Sequence, residues 1–299
     1  MARLVPTDFS VLSTCLTSSL GEAQLSSILS NCTHPVPWTP PVPGRELRVH
    51  AVDIWGTYAR DCGMIRTPQL VKTPGKLLLF GQCRHANAST TVGPLHLDDN
   101  MLAVRMLTIE SRDGGASWGN TTIVSAMARS VGVGVYDAKS DTVIFQYQSF
   151  TQTNPYAGNA LLQKVSTDRG QSWGAERDIT HFIEKGCNSG PGGQVCGAAG
   201  SRVQTSRGRV LFSGHNKATK GGGVCVWFSD DGGETYQVSS QGIFTGNEQA
   251  IADLGNGTLY MNGRGTSFPF AGHRASYWSW DLGRHPRARS LKPRVRNII

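Results

Sequence analysis

Charge is scarce in this chain. Asp, Glu, Lys and Arg make up only 17% of its 299 residues, whereas Gly and Pro number 36 and 14. That composition fits a turn-rich folded chain and argues against a disordered protein or a helical bundle. No apolar run reaches the length of about 18 residues that a membrane-spanning helix needs, so no transmembrane segment is expected. Cys15, Cys32, Cys62, Cys83, Cys187, Cys196 and Cys225 include no C-x-x-C pair and no metal-like His spacing. Zinc is therefore not expected, and neither is any other metal or cofactor. An odd cysteine count leaves at least one thiol unpaired in any scheme of disulfides within one chain.

The net charge of +8 raises the question of a nucleic-acid partner. Arg284, Arg287, Arg289, Lys292, Arg294 and Arg296 all fall in the last 16 residues, and without those six the charge is 8 − 6 = +2. The body is near neutral, so nucleic acid is not the expected partner, and 284–299 reads as a basic, disordered tail. Four N-x-S/T sequons stand at Asn31, Asn87, Asn120 and Asn256, where about two would arise by chance. Near the start, Arg3 precedes a weakly apolar stretch from Phe9 to Leu20, with Pro6 and Asp8 interrupting the approach. The compartment leans to the secretory route, lysosomal or extracellular, with the cytoplasm left open.

One internal repeat organises the chain. The pattern S-x-D-x-G-x-x-aromatic occurs as Ser111, Asp113, Gly115, Trp118; as Ser166, Asp168, Gly170, Trp173; and as Ser229, Asp231, Gly233, Tyr236. A decayed fourth copy reads Ser279, Asp281, Gly283, with Pro286 in the aromatic place. The starts lie 55, 63 and 50 residues apart, a spacing that suits one four-stranded propeller blade per repeat. Asp caps backbone N–H groups, Gly supplies a positive φ, and the aromatic residue plugs the turn from below. Short alternating stretches such as Lys76–Phe80, Thr142–Tyr147, Arg209–Ser213 and Val224–Phe228 read as the strands.

This repeat resembles the Asp box, and its recurrence resembles the sialidase (neuraminidase) superfamily. The resemblance implies an all-β fold, a six-bladed β-propeller over residues 45–283 after an N-terminal extension, 1–44. Three further segments extend it. Ile65-Arg66-Thr67-Pro68 resembles the sialidase R-I-P motif, with Thr67 in the place of Ile, and implies that Arg66 grips the carboxylate of sialic acid. A guanidinium fork matches a carboxylate bidentately and stays charged at any working pH. His96-Leu97-Asp98-Asp99-Asn100 falls where the family carries its acid/base Asp; Asp99 is the assignment, with Asp98 as the alternative. A carboxylic acid there protonates the leaving oxygen if a closed site raises its pKa.

The third segment runs Gly246-Asn247-Glu248-Gln249-Ala250 and then Asn256-Gly257-Thr258-Leu259-Tyr260-Met261-Asn262-Gly263-Arg264. It is similar to the sialidase signature E-x-Q … D/N-G-x-L-x-x-N-x-R, implying Glu248 as the base that activates a tyrosine nucleophile and Arg264 as a second carboxylate-binding arginine. Gly190-Pro191-Gly192 and Gly208–Phe212 resemble elements that precede it in the family. The implied activity is metal-free, retaining removal of terminal sialic acid from glycans, glycoproteins or glycolipids. A third arginine and the tyrosine are not identified: Arg274 and Tyr277 read as blade residues, and Tyr260 as a packing residue. The propeller is accordingly expected to be incomplete, with its last blades missing, and the chain to turn over sialosides very poorly. A non-catalytic propeller that binds carbohydrate or protein is the competing reading, and a two-carboxylate propeller glycosidase the other.

Overall fold

A computed structural model describes residues 54–55, 62, 64–84, 104–119, 121–126, 129–149, 160–184, 186–187, 195–216, 223–239, 244–245, 249–264, 274–284 and 287–288. The chain divides into two compact units, Met1–Asp61 and Cys62–Ile299, and every described strand lies in the second. Among the described residues no helix is long and apolar enough to cross a membrane.

The strands form four antiparallel blades in chain order. The first contains β1 (Met64–Thr73), β2 (Lys76–Arg84), β3 (Val104–Ser111) and β4 (Thr121–Ser125). The second contains β5 (Arg129–Asp137), β6 (Thr142–Ser149), β7 (Leu161–Ser166) and β8 (Arg177–Asp178), followed by a single helical turn, α1 (Thr180–Ile183). The third has β9 (Val195–Gln204), β10 (Val210–Asn216), β11 (Gly223–Ser229) and β12 (Gln237–Val238), with β13 (Phe244–Thr245) pairing on the other end of β11. The fourth has β14 (Gln249–Asp253), β15 (Leu259–Arg264), β16 (Arg274–Ser279) and β17 (Arg287–Ala288). The first strands β1, β5, β9 and β14 pack side by side, one blade after the next. This is the propeller arrangement anticipated from the repeats: four blades stand among the described residues, where the sequence reading anticipated a six-bladed type with its last blades missing. It differs at β17: Arg287 and Ala288 pair with Trp278 and Tyr277, so residues assigned to a tail supply an outer strand.

Blade stacking dictates which residues are apolar. Strand β6 is sandwiched, so both of its faces are buried: Val143, Phe145 and Tyr147 face the first blade's Leu78, Phe80 and Met106. Ile144, on the opposite face, joins Phe212, Trp227 and Tyr236 of the third blade. A third cluster, with Leu211, Val226, Phe228, Leu259, Met261 and Tyr277, joins the third blade to the fourth. Trp227 is completely buried and donates from Nε1 to Gln146 Oε1 at 2.9 Å. Gln146 in turn donates to Gln163 Oε1, which also accepts from the Tyr236 hydroxyl, so the polar atoms of this interface satisfy one another.

Each repeat forms the same hydrogen-bonded turn. In the second copy, Ser166 Oγ donates to Asp168 Oδ1 at 2.7 Å and accepts from Gly170 N–H at 2.6 Å, while Ser172 N–H and Oγ both donate to Asp168. The hydroxyl before the aromatic belongs to the motif, since Ser117 and Thr235 bond Asp113 and Asp231 alike. The fourth copy is less decayed than its sequence implies. Ser279 still donates to Asp281 and accepts from Gly283 N–H at 2.8 Å. The aromatic plugs are less enclosed than anticipated: Tyr236 is buried, but Trp118 and Trp173 are only half-buried, Trp173 lying edge-on to Phe80 and Phe145.

The glycines do more than turn the chain. A Cβ on Gly170, Gly233 or Gly283 would come within 2.7 Å of Leu78, 3.0 Å of Ile144 or 2.4 Å of Leu211. Each of these neighbours lies on the second strand of the preceding blade. The repeat turn therefore closes against the blade before it, and a side chain there would have to displace that neighbour at a φ of 89, 91 or 85.

Candidate active site

Strand register defines the two ends of each blade. Ser111 pairs with Leu77, next to the β1–β2 turn, and Ser279 pairs with Leu259, next to the β14–β15 turn. Ser166 and Ser229 hold the equivalent places opposite Val143 and Val210. All four repeats and all four inner hairpin turns thus share one end of the arc, the turn end. The opposite end is the site end.

Arg66 lies at the site end of β1, paired with Gln82, and is exposed. The pairing slips between Arg66 and Gln69, leaving one extra residue on β1. Thr67, in that bulge, has φ 52, rare for a β-branched residue. Pro68 follows, without an N–H to offer a ladder. Bulges of this kind re-aim side chains beside active sites, and this one falls within the R-T-P segment. Arg264 ends β15, paired with Arg274. Gln249 opens β14 opposite Gly263, the neighbour of Arg264, and donates to Gly214 O at 3.0 Å. Glu248 precedes Gln249 in sequence and lies outside the described residues, as do Asp98 and Asp99. The connection that contains these aspartates leaves β2 at Arg84 and re-enters at Val104, and those two residues pair at the site end.

Sequence reading missed one cation near these inner strands. Arg202, on β9, donates from Nε to Gly134 O of β5 at 2.7 Å and from Nη2 to Leu70 O of β1 at 2.6 Å. It ties three inner strands together through two backbone carbonyls. Burial lowers its pKa to about 10, so it remains a cation at neutral pH. Its only sequence signal was one charged residue within an otherwise uncharged strand, Val195–Gln204.

The described tyrosines are all committed to the blades. Tyr147 is fully buried between the first two blades and donates to Glu176 at 2.6 Å. Tyr236 and Tyr277 are buried, and Tyr136 donates to Asp141 at 2.7 Å. Tyr260 shares a hydrogen bond with Ser276 at 3.0 Å and packs on Trp278, as the packing reading anticipated.

By sequence, no family model and no curated protein matches the chain. By structure it is similar to the Hadza microbial sialidase Hz136, with TM-score 0.60 and 20% identity over 77% of this chain and 47% of that one. It is similar also to Trypanosoma rangeli sialidase in complex with the inhibitor DANA (TM-score 0.58, 20% identity, 75% of this chain and 37% of that one). An intramolecular trans-sialidase from Ruminococcus gnavus, in complex with oseltamivir carboxylate, gives 0.59 at 13% identity over 78% of this chain and 72% of that one. The chain thus spans less than half the length of the first two. Four blades, their order and these neighbours agree: the chain has a sialidase-type β-propeller fold.

Proposed function

We propose that the site end is the sugar-binding end of an exo-α-sialidase-type glycoside hydrolase acting on terminal sialic acid of glycans, glycoproteins or glycolipids. The observation that supports this most is positional. Arg66, Arg264, the strand start that follows Glu248, and both anchors of the connection holding Asp99 share the end away from the repeats. In this reading Arg66 and Arg264 hold the substrate carboxylate through charge-assisted hydrogen bonds. Asp99, or Asp98 beside it, protonates the departing glycosidic oxygen and then deprotonates water. Glu248 withdraws the proton of a tyrosine that attacks the anomeric carbon, and two displacements retain configuration. A neutral phenol suits sialic acid because a carboxylate nucleophile would approach the substrate's own carboxylate against like charge.

The chain's seven tyrosines are Tyr58, Tyr136, Tyr147, Tyr156, Tyr236, Tyr260 and Tyr277. The five described ones are held in blade packing, which favours a second reading, a propeller that binds sialylated glycans without cleaving them. Turnover of a fluorogenic α-sialoside by the 299-residue chain and by Glu248→Ala separates the readings. The hydrolase reading expects weak release that Glu248→Ala abolishes, because loss of a group from a concerted catalytic set costs orders of magnitude. Binding with no release supports the second reading. Robust release that survives Glu248→Ala removes the catalytic assignment.

A further inference from the structure

Of the four sequons, Asn256-Gly257-Thr258 is the one whose asparagine the structure describes. It forms the tip of the β14–β15 turn. Leu254 N–H donates to Thr258 O at 2.9 Å, Thr258 N–H donates to Gly255 O at 2.9 Å, and Asn256 stands exposed at φ 54. Asn tolerates that backbone conformation better than most residues.

Two further observations bear on this tip. Leu254 and Trp280, at 54% and 56% exposure, are the two most exposed large hydrophobic side chains among the described residues. Both belong to this corner of the fourth blade: Gly257 O accepts from Leu282 N–H at 3.1 Å, and a Cβ on Gly257 would lie 3.6 Å from Trp280 O. Separately, the described residues include two disulfides, Cys62–Cys83 and Cys187–Cys225. Disulfides persist in oxidising compartments, which the secretory route supplies and the cytosol does not. That route is also where asparagine-linked sugars are added to exposed sequons.

We infer that Asn256 is an N-glycosylation site whose first sugar residues cover Leu254 and Trp280. In the transfer, the Asn256 amide nitrogen loses a proton and bonds the anomeric carbon of a lipid-pyrophosphate-linked oligosaccharide. The lipid pyrophosphate leaves with the bonding electrons, and the proton passes to the transferase. The apolar face of a pyranose ring suits an exposed indole, which offers a flat apolar surface with a polar edge. The glycan hides apolar area at the turn end and leaves the site end open. This inference does not depend on the proposed hydrolase activity.

The test passes the 299-residue chain through the secretory route of cultured eukaryotic cells. An endoglycosidase that leaves one N-acetylglucosamine on each occupied asparagine is then applied, and peptides are mapped by mass. The sugar stub is the readout because spontaneous deamidation at Asn-Gly cannot mimic it. The stub is expected on the Asn256 peptide, lost in Asn256→Asp and in Thr258→Ala, and kept in Thr258→Ser. Asn256→Asp should bind more of an apolar fluorescent dye than the glycosylated chain, and adding Trp280→Ser should reverse the gain. An Asn256 peptide without the stub overturns the inference, whatever the other sequons carry. A dye signal unchanged by glycan loss overturns the covering role.

Discussion

At the turn end, each repeat serine, its aspartate and the following glycine N–H close one hydrogen-bonded set four times over, and each glycine seats against the preceding blade where one is described. At the site end the ladders are broken instead. Register slips fall between Arg66 and Gln69, between Arg129 and Gly132, between Met106 and Leu107, and between Phe212 and Gly214. All four lie at mid-strand or beyond it toward the site end. One end repeats, with the serine, aspartate and glycine of each copy bonding one another; the other is irregular and holds the candidate chemistry. Proteins that break local rules tend to do so at functional sites, and regular packing elsewhere supports the break. The comparison separates residues that should govern stability from residues that should govern binding.

The largest stability effect is expected from the turn end. Gly283→Ala places a Cβ at φ 85 and within 2.4 Å of Leu211, a fully buried side chain. Backbone strain and overpacking together should cost about 2–4 kcal/mol in urea denaturation. A loss below about 0.5 kcal/mol would show that the fourth repeat does not brace the third blade.

A smaller effect is expected at Asp168. Burial raises its pKa, but hydrogen bonds from the Ser172 hydroxyl and N–H and from Ser166 outweigh that and hold it at about 2. A carboxylate depressed below its ordinary 3.8 contributes stability that is fully present above that value. The contribution is lost as pH falls through about 2. Asp168→Asn should therefore cost about 1–2 kcal/mol at neutral pH, through loss of charged acceptors. It should also flatten the acid limb of the stability profile below about pH 4. An unchanged acid limb would mean that the repeat aspartates do not set it.

Much of the fold was legible because repetition is visible in a single sequence. Ser, Asp and Gly recur at fixed offsets, and each offset corresponds to one hydrogen bond in the turn. The hydroxyl of Ser117, Ser172 and Thr235 was equally readable, being the same residue type at the same offset, but it was passed over in favour of the aromatic beside it. Burial of Trp118 and Trp173 was less legible, because a plug is enclosed by the neighbouring blade rather than by its own turn. Strand β17 escaped because two residues among arginines carry no alternation, and only pairing with Tyr277 and Trp278 makes them a strand. Arg66 and Arg264 were legible as motif positions. The bulge at Thr67 was not, since a register slip depends on the partner strand β2. Arg202 was missed for the same reason: its two acceptors lie 132 and 68 residues away in sequence.

The most direct test of the division between the ends is a titration of the 299-residue chain with an unsaturated sialic acid analogue, comparing Arg66→Ala with Arg169→Ala. Arg66 stands exposed at the site end; Arg169 belongs to the second repeat and pairs with Asp141 at 2.7 Å. Arg66→Ala should weaken binding by about 10-fold or more, the worth of a charge-assisted hydrogen bond to a carboxylate, while stability moves by less than about 0.5 kcal/mol. Arg169→Ala should leave the affinity unchanged. Equal affinity in Arg66→Ala and the parent chain, or an equal loss in both variants, would contradict the account.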